Sequence, residues 1–330
     1  MSKNRHTTLG LTNDDVLEMY RLMVLSRKVD ERMWLLNRAG QMPFVISCQG
    51  QEAAQVGAAF ALDRDIDYIA PYYRDVGVVL AFGMTAEEII MSGFGKAADP
   101  NSGGRQMPGH FGQKKNRIIT GSSPVTTQVP HAVGFALAAK LQQEDFVTFT
   151  SLGDGSTNQG DFHEALNFAG VHQLPVITFV ENNRLAISVP YEKQVASENI
   201  AIRAKSYGMP GFKVDGQDPL AVYEVVKEAR DRAATNGGPT LIEAETIRLT
   251  SHSSDDNHLV YRTEEELERD RKNDPNILFA NYLKEVGLLT DEKIEEIDKE
   301  LTTHVNEATE KAEKAPYPKP ETLYDYVYEQ

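Results

Sequence analysis

From about Asp67 to Asp218 the sequence switches repeatedly between short β-branched runs and longer amphipathic ones, and this alternation constrains the fold more than any other feature. In chain order the runs are "DYIAPYY", "TAEEIIMSGFGK", "VPHAVGFALAAKLQ", "FVTFTSLG", "FHEALNFAGVHQ" and "PVITFVENN". After them come "GFKVDG", the helical "DPLAVYEVVKEARDRAA" and "PTLIEAETI". Strands alternating with helices of about ten residues or more predict an α/β fold, a mainly parallel sheet with helices on both faces. Ahead of it, "DDVLEMYRLMVLSRKVDERMWLLNRAG" predicts an amphipathic helix from near Asn13 to Gly40. Behind it, "TEEELERDRK" and "DEKIEEIDKELTTHVNEATEKAEK" predict acidic helices with one docking face. The expected organisation is an N-terminal helical arm over 1–45, an α/β domain over 46–262, and a C-terminal helical extension over 263–330 packed on that domain. Two long polar stretches, about 97–120 and 248–262, interrupt the pattern, and loops of that length are usually functional or disordered.

Two strand ends carry the chemistry. "TSLGDGSTNQGDF" puts Asp154 between Gly153 and Gly155 where one apolar run stops, and "LPVITFVENN" ends in Asn182 and Asn183. Asp154 and Asn183 stand 29 residues apart (154 to 183), the length of a strand, crossover helix and strand. In open parallel sheets ligands bind outside the carboxyl ends of the strands, so both side chains are expected to face one crevice. A dinucleotide fingerprint fails, because Asn158 stands where its third glycine belongs, and no lysine-bearing phosphate loop is present. A carboxylate repels a phosphate unless a divalent cation lies between them. Mg²⁺ takes few protein oxygens and completes its octahedron with phosphate and water. One carboxylate, one carboxamide and one backbone carbonyl from the next turn make such a half-shell. Asp154 would serve equally to cap the following helix, with Asn183 supporting a turn.

Charge sharpens the question. With a net charge of −15 the chain is a poor partner for nucleic acid or an anionic membrane, so a bound phosphate needs a local cation. No apolar run approaches the roughly 20 residues of a membrane span. The opening "MSKNRHTTLGLTNDD" has no signal-peptide pattern, and the single cysteine, Cys48, fits a reducing compartment, so the expected location is cytoplasmic.

The "GDG" followed by "NN" at this distance resembles the thiamine-diphosphate motif, and its context extends along the chain. "YYRDVG", "GGRQMPGHFG", "GSSPVTTQVPHAVG", "GDGSTNQGDFHEALNFAG", "ENNRLAIS", "VDGQDPLAVY" and "SHSSDDN" appear in family order. The chain resembles the α subunits of thiamine-diphosphate-dependent 2-oxo acid dehydrogenase E1 components, with "GRQMPGHFG" tilting it toward the bacterial branched-chain type. The resemblance implies Mg²⁺ held by the side chains of Asp154 and Asn183 and the backbone carbonyl of Leu185. It implies that Tyr73 and Arg74 contact the diphosphate, and that Gly153, Gly155 and Ser156 belong to the cofactor turn. Ser123 and the backbone of Val125 are expected to face thiamine. In the branched-chain family Ser122, Pro124, Thr127 and Gln128 line a potassium site, although serine and threonine there would equally make an ordinary N-cap. His252 aligns with a loop histidine at the cofactor, expected to be catalytic and to titrate near neutral pH. Ser253 aligns with a serine phosphorylated in some relatives. Glu181 is a departure, since a relative carries a basic residue on the diphosphate there.

The implied reaction is oxidative decarboxylation of a branched-chain 2-oxo acid through a thiazolium ylid and an enamine, then reductive acylation of the lipoyl group of the E2 acyltransferase. The carboxylate that activates the aminopyrimidine normally comes from a separate domain, so the resemblance implies a β subunit and an α2β2 heterotetramer. Alternative expectations are a pyruvate or acetoin dehydrogenase E1 α subunit, and a non-catalytic scaffolding homologue.

Overall fold

The computed structural model describes residues 4–325, 327 and 328. Five parallel strands form the central sheet: β1 Tyr68–Ala70, β2 Thr148–Gly153, β3 Val176–Asn182 and, beyond a two-stranded ribbon of β4 Leu185–Ala186 and β5 Val189–Pro190, β6 Gly211–Asp215 and β7 Thr240–Glu245. The order across the sheet is β1-β2-β3-β7-β6, with every neighbouring pair parallel. The helices before and between β1 and β2 are α1 Arg5–Thr8, α2 Asn13–Arg38, α3 Glu52–Ala61, α4 Val76–Ala81, α5 Ala86–Phe94 and α6 Gln128–Gln142. The rest are α7 Gly160–His172, α8 Pro219–Ala234, α9 Glu264–Lys272, α10 Pro275–Glu285 and α11 Asp291–Lys314.

The strands read as nearly continuous apolar runs because both sheet faces are covered. Along β3, Val176 and Val180 pack with α6 and α7, while Ile177 and Phe179 point into the larger core with α3 and α8. Period-two alternation thus sends successive side chains into two different cores. The alanine-rich α3 is buried on nearly every side, and a Cβ on Gly57 would stand 2.5 Å from the Pro219 carbonyl of α8. Its small residues serve packing within the chain. By contrast, α6 and α7 leave Phe135, Leu141, Phe168 and Val171 exposed.

Local signals fix most boundaries. Helix α2 starts at a reciprocal Thr12–Asp15 capping box, and α9 at the same device in Thr263 and Glu266. The C-terminal α11 packs on α2 and α5. The expected strand "DYIAPYY" is shorter than its apolar run, because Tyr72 and Tyr73 leave the sheet to reach the crevice at its carboxyl end. Short α4 and α10, and the β4–β5 ribbon, go unread in the sequence.

Candidate active site

Strand β2 delivers Asp154 and β3 delivers Asn183, one residue past each strand end. Between them lies a cavity of about 290 Å³ lined by Tyr72, Tyr73, Arg74, Val125, Gly153, Asp154, Gly155, Ser156, Gln159, Asn183, Leu185, Ala186, Ile187 and His252. It brings together ten of the residues expected from the sequence. A Cβ on Gly155 would stand 2.6 Å from Ala186 Cβ, so only glycine lets the two strand-end loops meet.

Asp154 is 1% exposed, and among the described residues the only side chain that hydrogen-bonds to its carboxylate is Gln194, through Nε2 at 2.6 Å. It caps no helix. Burial pushes its carboxyl up to about 6, against that bond and the guanidinium charges of Arg248 and Arg74. A buried carboxylate with no ion-pair partner lacks a counter-ion. Asn183 Oδ1 accepts from Leu185 N at 3.2 Å, so it supports the turn and still has a lone pair to offer. Among the described residues no group of three His, Cys, Asp or Glu side chains is placed to hold a metal. Any cation here would use the mixed oxygen set.

Arg74 is 1% exposed; Nη1 donates to the Ser47 carbonyl, Nη2 lies 3.3 Å from His252 Nδ1, and Nε has no partner. Its guanidinium carbon sits 5.4 Å from the centroid of the Tyr73 ring. His252 differs from expectation. Burial, then the Arg74 and Arg248 charges, push its imidazole down to about 4, so it is neutral at physiological pH. With Nδ1 accepting from Arg74, the proton resides on Nε2. The C2 proton resonance of His252 should therefore titrate in NMR with a midpoint near 4; a midpoint near 6.5 would contradict this environment.

Glu181 lies beneath the cavity and does not line it, so the acidic departure does not oppose a diphosphate. Its Oε2 accepts from Gln55 Nε2 and Tyr72 OH, each at 3.0 Å, and its carboxyl lies beside that of Asp75. Both carboxyls are fully buried, and burial with mutual repulsion pushes Asp75 well above the carboxylate range. Like charges buried together favour keeping a proton on one of the two carboxyls. Gln55 Nε2 also donates to the Arg74 carbonyl at 3.0 Å, tying this pair to the cavity wall.

Other expected residues fall elsewhere. Ser123 is exposed, outside the cavity, and its hydroxyl lies 2.6 Å from His110 Nε2. Ser122, Pro124, Thr127 and Gln128 also lie outside the lining. Thr127 donates to Asp161 at 3.3 Å, and Gln128 Nε2 donates to the Ser151 carbonyl at 2.9 Å. Between them Thr126, β-branched with φ +83°, binds the Ser156 carbonyl through Oγ1 at 3.0 Å. Such backbone is strained and persists only where its surroundings enforce it. Ser253 is buried. Tyr72, Gln159, Ala186 and Ile187 stand in the quoted motifs with no residue chemistry to mark them as site residues, while Gln194 has no local signal at all.

Residues 20–321 match the sequence model of the family described as dehydrogenase E1 component. The chain belongs to the dehydrogenase E1 component family. It is 66% identical, over 99% of both chains, to the 2-oxoisovalerate dehydrogenase subunit alpha of Bacillus subtilis. The pyruvate dehydrogenase E1 component subunit alpha of the same organism is 38% identical over 97% of this chain and 83% of its own. The human mitochondrial 2-oxoisovalerate dehydrogenase subunit alpha is 36% identical over 97% and 72%. Family membership fits the parallel sheet with helices on both faces and the strand-end cavity.

Proposed function

We propose that this chain is the α subunit of a thiamine-diphosphate-dependent E1 enzyme that oxidatively decarboxylates branched-chain 2-oxo acids and passes the acyl group to the lipoyl arm of an E2 acyltransferase. The observation that carries the reading is Asp154, a buried carboxylate without a cationic partner, in one cavity with Asn183, Leu185 and Arg74.

The residues present suit Mg²⁺ and a diphosphate. Asp154, Asn183 and the Leu185 carbonyl supply hard oxygen ligands. Arg74, with Nε unpartnered, supplies the positive charge that one divalent cation leaves unmet on two phosphates, and Tyr73 borders it. The backbone of Gly153, Gly155 and Ser156 forms the floor, and exposed Val125 offers apolar support to the thiamine end. Bound there, the cofactor supplies the carbanion nucleophile and the electron sink that let a 2-oxo acid lose CO₂. His252 remains neutral and offers Nε2–H to an oxygen of cofactor or substrate. That is a hydrogen-bonding role, not the near-neutral proton exchange expected from the sequence.

For potassium, the acceptor oxygens on offer are those of the Ser122–Gln128 segment. Thr127 donates its hydroxyl proton to Asp161, and Gln128 donates through Nε2, so each keeps an acceptor oxygen to join Ser122 and Pro124. The exposed Phe135, Leu141, Phe168 and Val171 face of α6 and α7 suits contact with a β chain in an α2β2 assembly. No described helix is long and apolar enough to cross a membrane, and a cytoplasmic location fits the single, buried Cys48 thiol.

The branched-chain preference rests on the identity gap between 66% and 38% for two relatives from one organism. Co-assembled with its β chain, the protein should release CO₂ from 3-methyl-2-oxobutanoate with kcat/KM at least about tenfold above pyruvate, the scale of one or two extra methylenes in an apolar pocket. Equal or reversed preference would assign it to pyruvate or acetoin.

A further inference from the structure

Asp30, on the buried face of α2, has no ion-pair partner among the described residues and is 2% exposed. All its hydrogen bonds go to one short segment: Ser47 Oγ at 2.8 Å, Cys48 N at 2.9 Å and Gln49 Nε2 at 2.7 Å. Residues 44–48 belong to no helix or strand, so no regular ladder sets the backbone there. Yet this segment meets the cavity from behind at several points. The Ser47 carbonyl accepts Arg74 Nη1. The Gln49 carbonyl accepts Leu249 N at 3.1 Å, and the Val45 carbonyl accepts Ser254 N at 2.8 Å, on either side of His252. Val45 N donates to Ser254 Oγ at 3.2 Å. At Gly50, φ +95°, a Cβ would stand 2.6 Å from the Ile247 carbonyl, so the two stretches touch backbone to backbone. Burial pushes the Asp30 carboxyl up to about 6 against its three donors, a cost that an apolar side chain at this position would not carry.

We infer that Asp30 is a positioning residue for the proposed cofactor site: it holds the Ser47–Gln49 segment, which fixes Arg74 and the Leu249 end of the His252 loop directly and the Ser254 end through Val45 just upstream. Asp30 touches neither cofactor nor substrate; it acts through backbone carbonyls it orients by their neighbouring donors. The inference rests on the function proposed above for the value of that placement, but the placement itself is read without cofactor or activity.

The test is Asp30→Asn in the full chain, which replaces one acceptor oxygen by a donor facing the donors it must satisfy. Amide hydrogen exchange at Leu249 and Ser254 should accelerate about tenfold, the scale of one lost hydrogen bond to a charged group, while the amides of β3 keep their wild-type rates. In the assembly with the β chain, calorimetry should show thiamine diphosphate with Mg²⁺ binding about tenfold more weakly, with kcat at saturating cofactor retained. Gln49→Ala removes one of the same bonds without altering the helix. It should move the same two amides in the same direction, and it carries the test if Asp30→Asn does not fold. Unchanged exchange at Leu249 and Ser254 in a folded variant would overturn the inference, as would equal acceleration in β3. Absence of cofactor binding to the wild-type assembly would instead overturn the proposed function and leave the exchange result standing.

Discussion

Asp154→Ala should lower CO₂ release by the αβ assembly roughly 10³-fold at any Mg²⁺ concentration, the range set by about 3–5 kcal/mol for one missing partner of a buried charge pair. The metal-free chain should respond in the opposite sense. Burial raises the folded carboxyl to about 6, so above that pH the ionised side chain weighs against the fold until a cation joins it. Alanine removes that burden, and the midpoint of thermal unfolding of the metal-free chain should hold or rise. Loss of activity with an unaltered or higher midpoint separates a missing metal ligand from a damaged fold. A lowered midpoint with Mg²⁺-dependent activity intact would remove Asp154 from the site.

Arg74→Ala should weaken cofactor binding about 10²–10³-fold, again the scale of a buried partner lost from an ion pair. Arg74→Lys should fare little better. A lysine keeps the charge, yet one ammonium cannot span the Ser47 carbonyl, His252 and a phosphate as the planar fork does. The alanine variant has a second readout. Arg74 is the largest charge holding His252 down, so its removal should move the His252 midpoint upward from about 4. If cofactor affinity falls while that midpoint stays put, Arg74 acts at a distance from His252, and the cavity described above is wrong.

The sequence was most informative where periodicity and chain-local chemistry coincide. The alternation of runs foretold the parallel sheet, and the ends of "FVTFTSLG" and "PVITFVENN" put Asp154 and Asn183 at neighbouring strand ends, where the structure has them. The α11 boundaries follow the acidic amphipathic run, which has its own N-cap in Thr290. What stayed hidden depends on contacts between distant parts of the chain. Gln194 reaches Asp154 across 40 residues, and Glu181 meets Asp75 across the sheet. The bonds of Asp30 to Ser47, Cys48 and Gln49 join a helix to an irregular segment with no periodic signature. His252 was expected to titrate near neutrality because sequence shows residue type, whereas its proton affinity is set by burial and two guanidiniums from other elements. Thr126, with φ +83° and a bond to the Ser156 carbonyl 30 residues on, is likewise held by a contact that no local propensity encodes.

The central claim is that this chain holds the diphosphate end of thiamine diphosphate through a divalent cation at Asp154 and Asn183. Isothermal titration of thiamine diphosphate into the wild-type αβ assembly, with Mg²⁺ and then with excess chelator, tests it most directly. Saturable binding with Mg²⁺ that disappears with chelator is the predicted result. Binding of equal affinity in both would contradict the account.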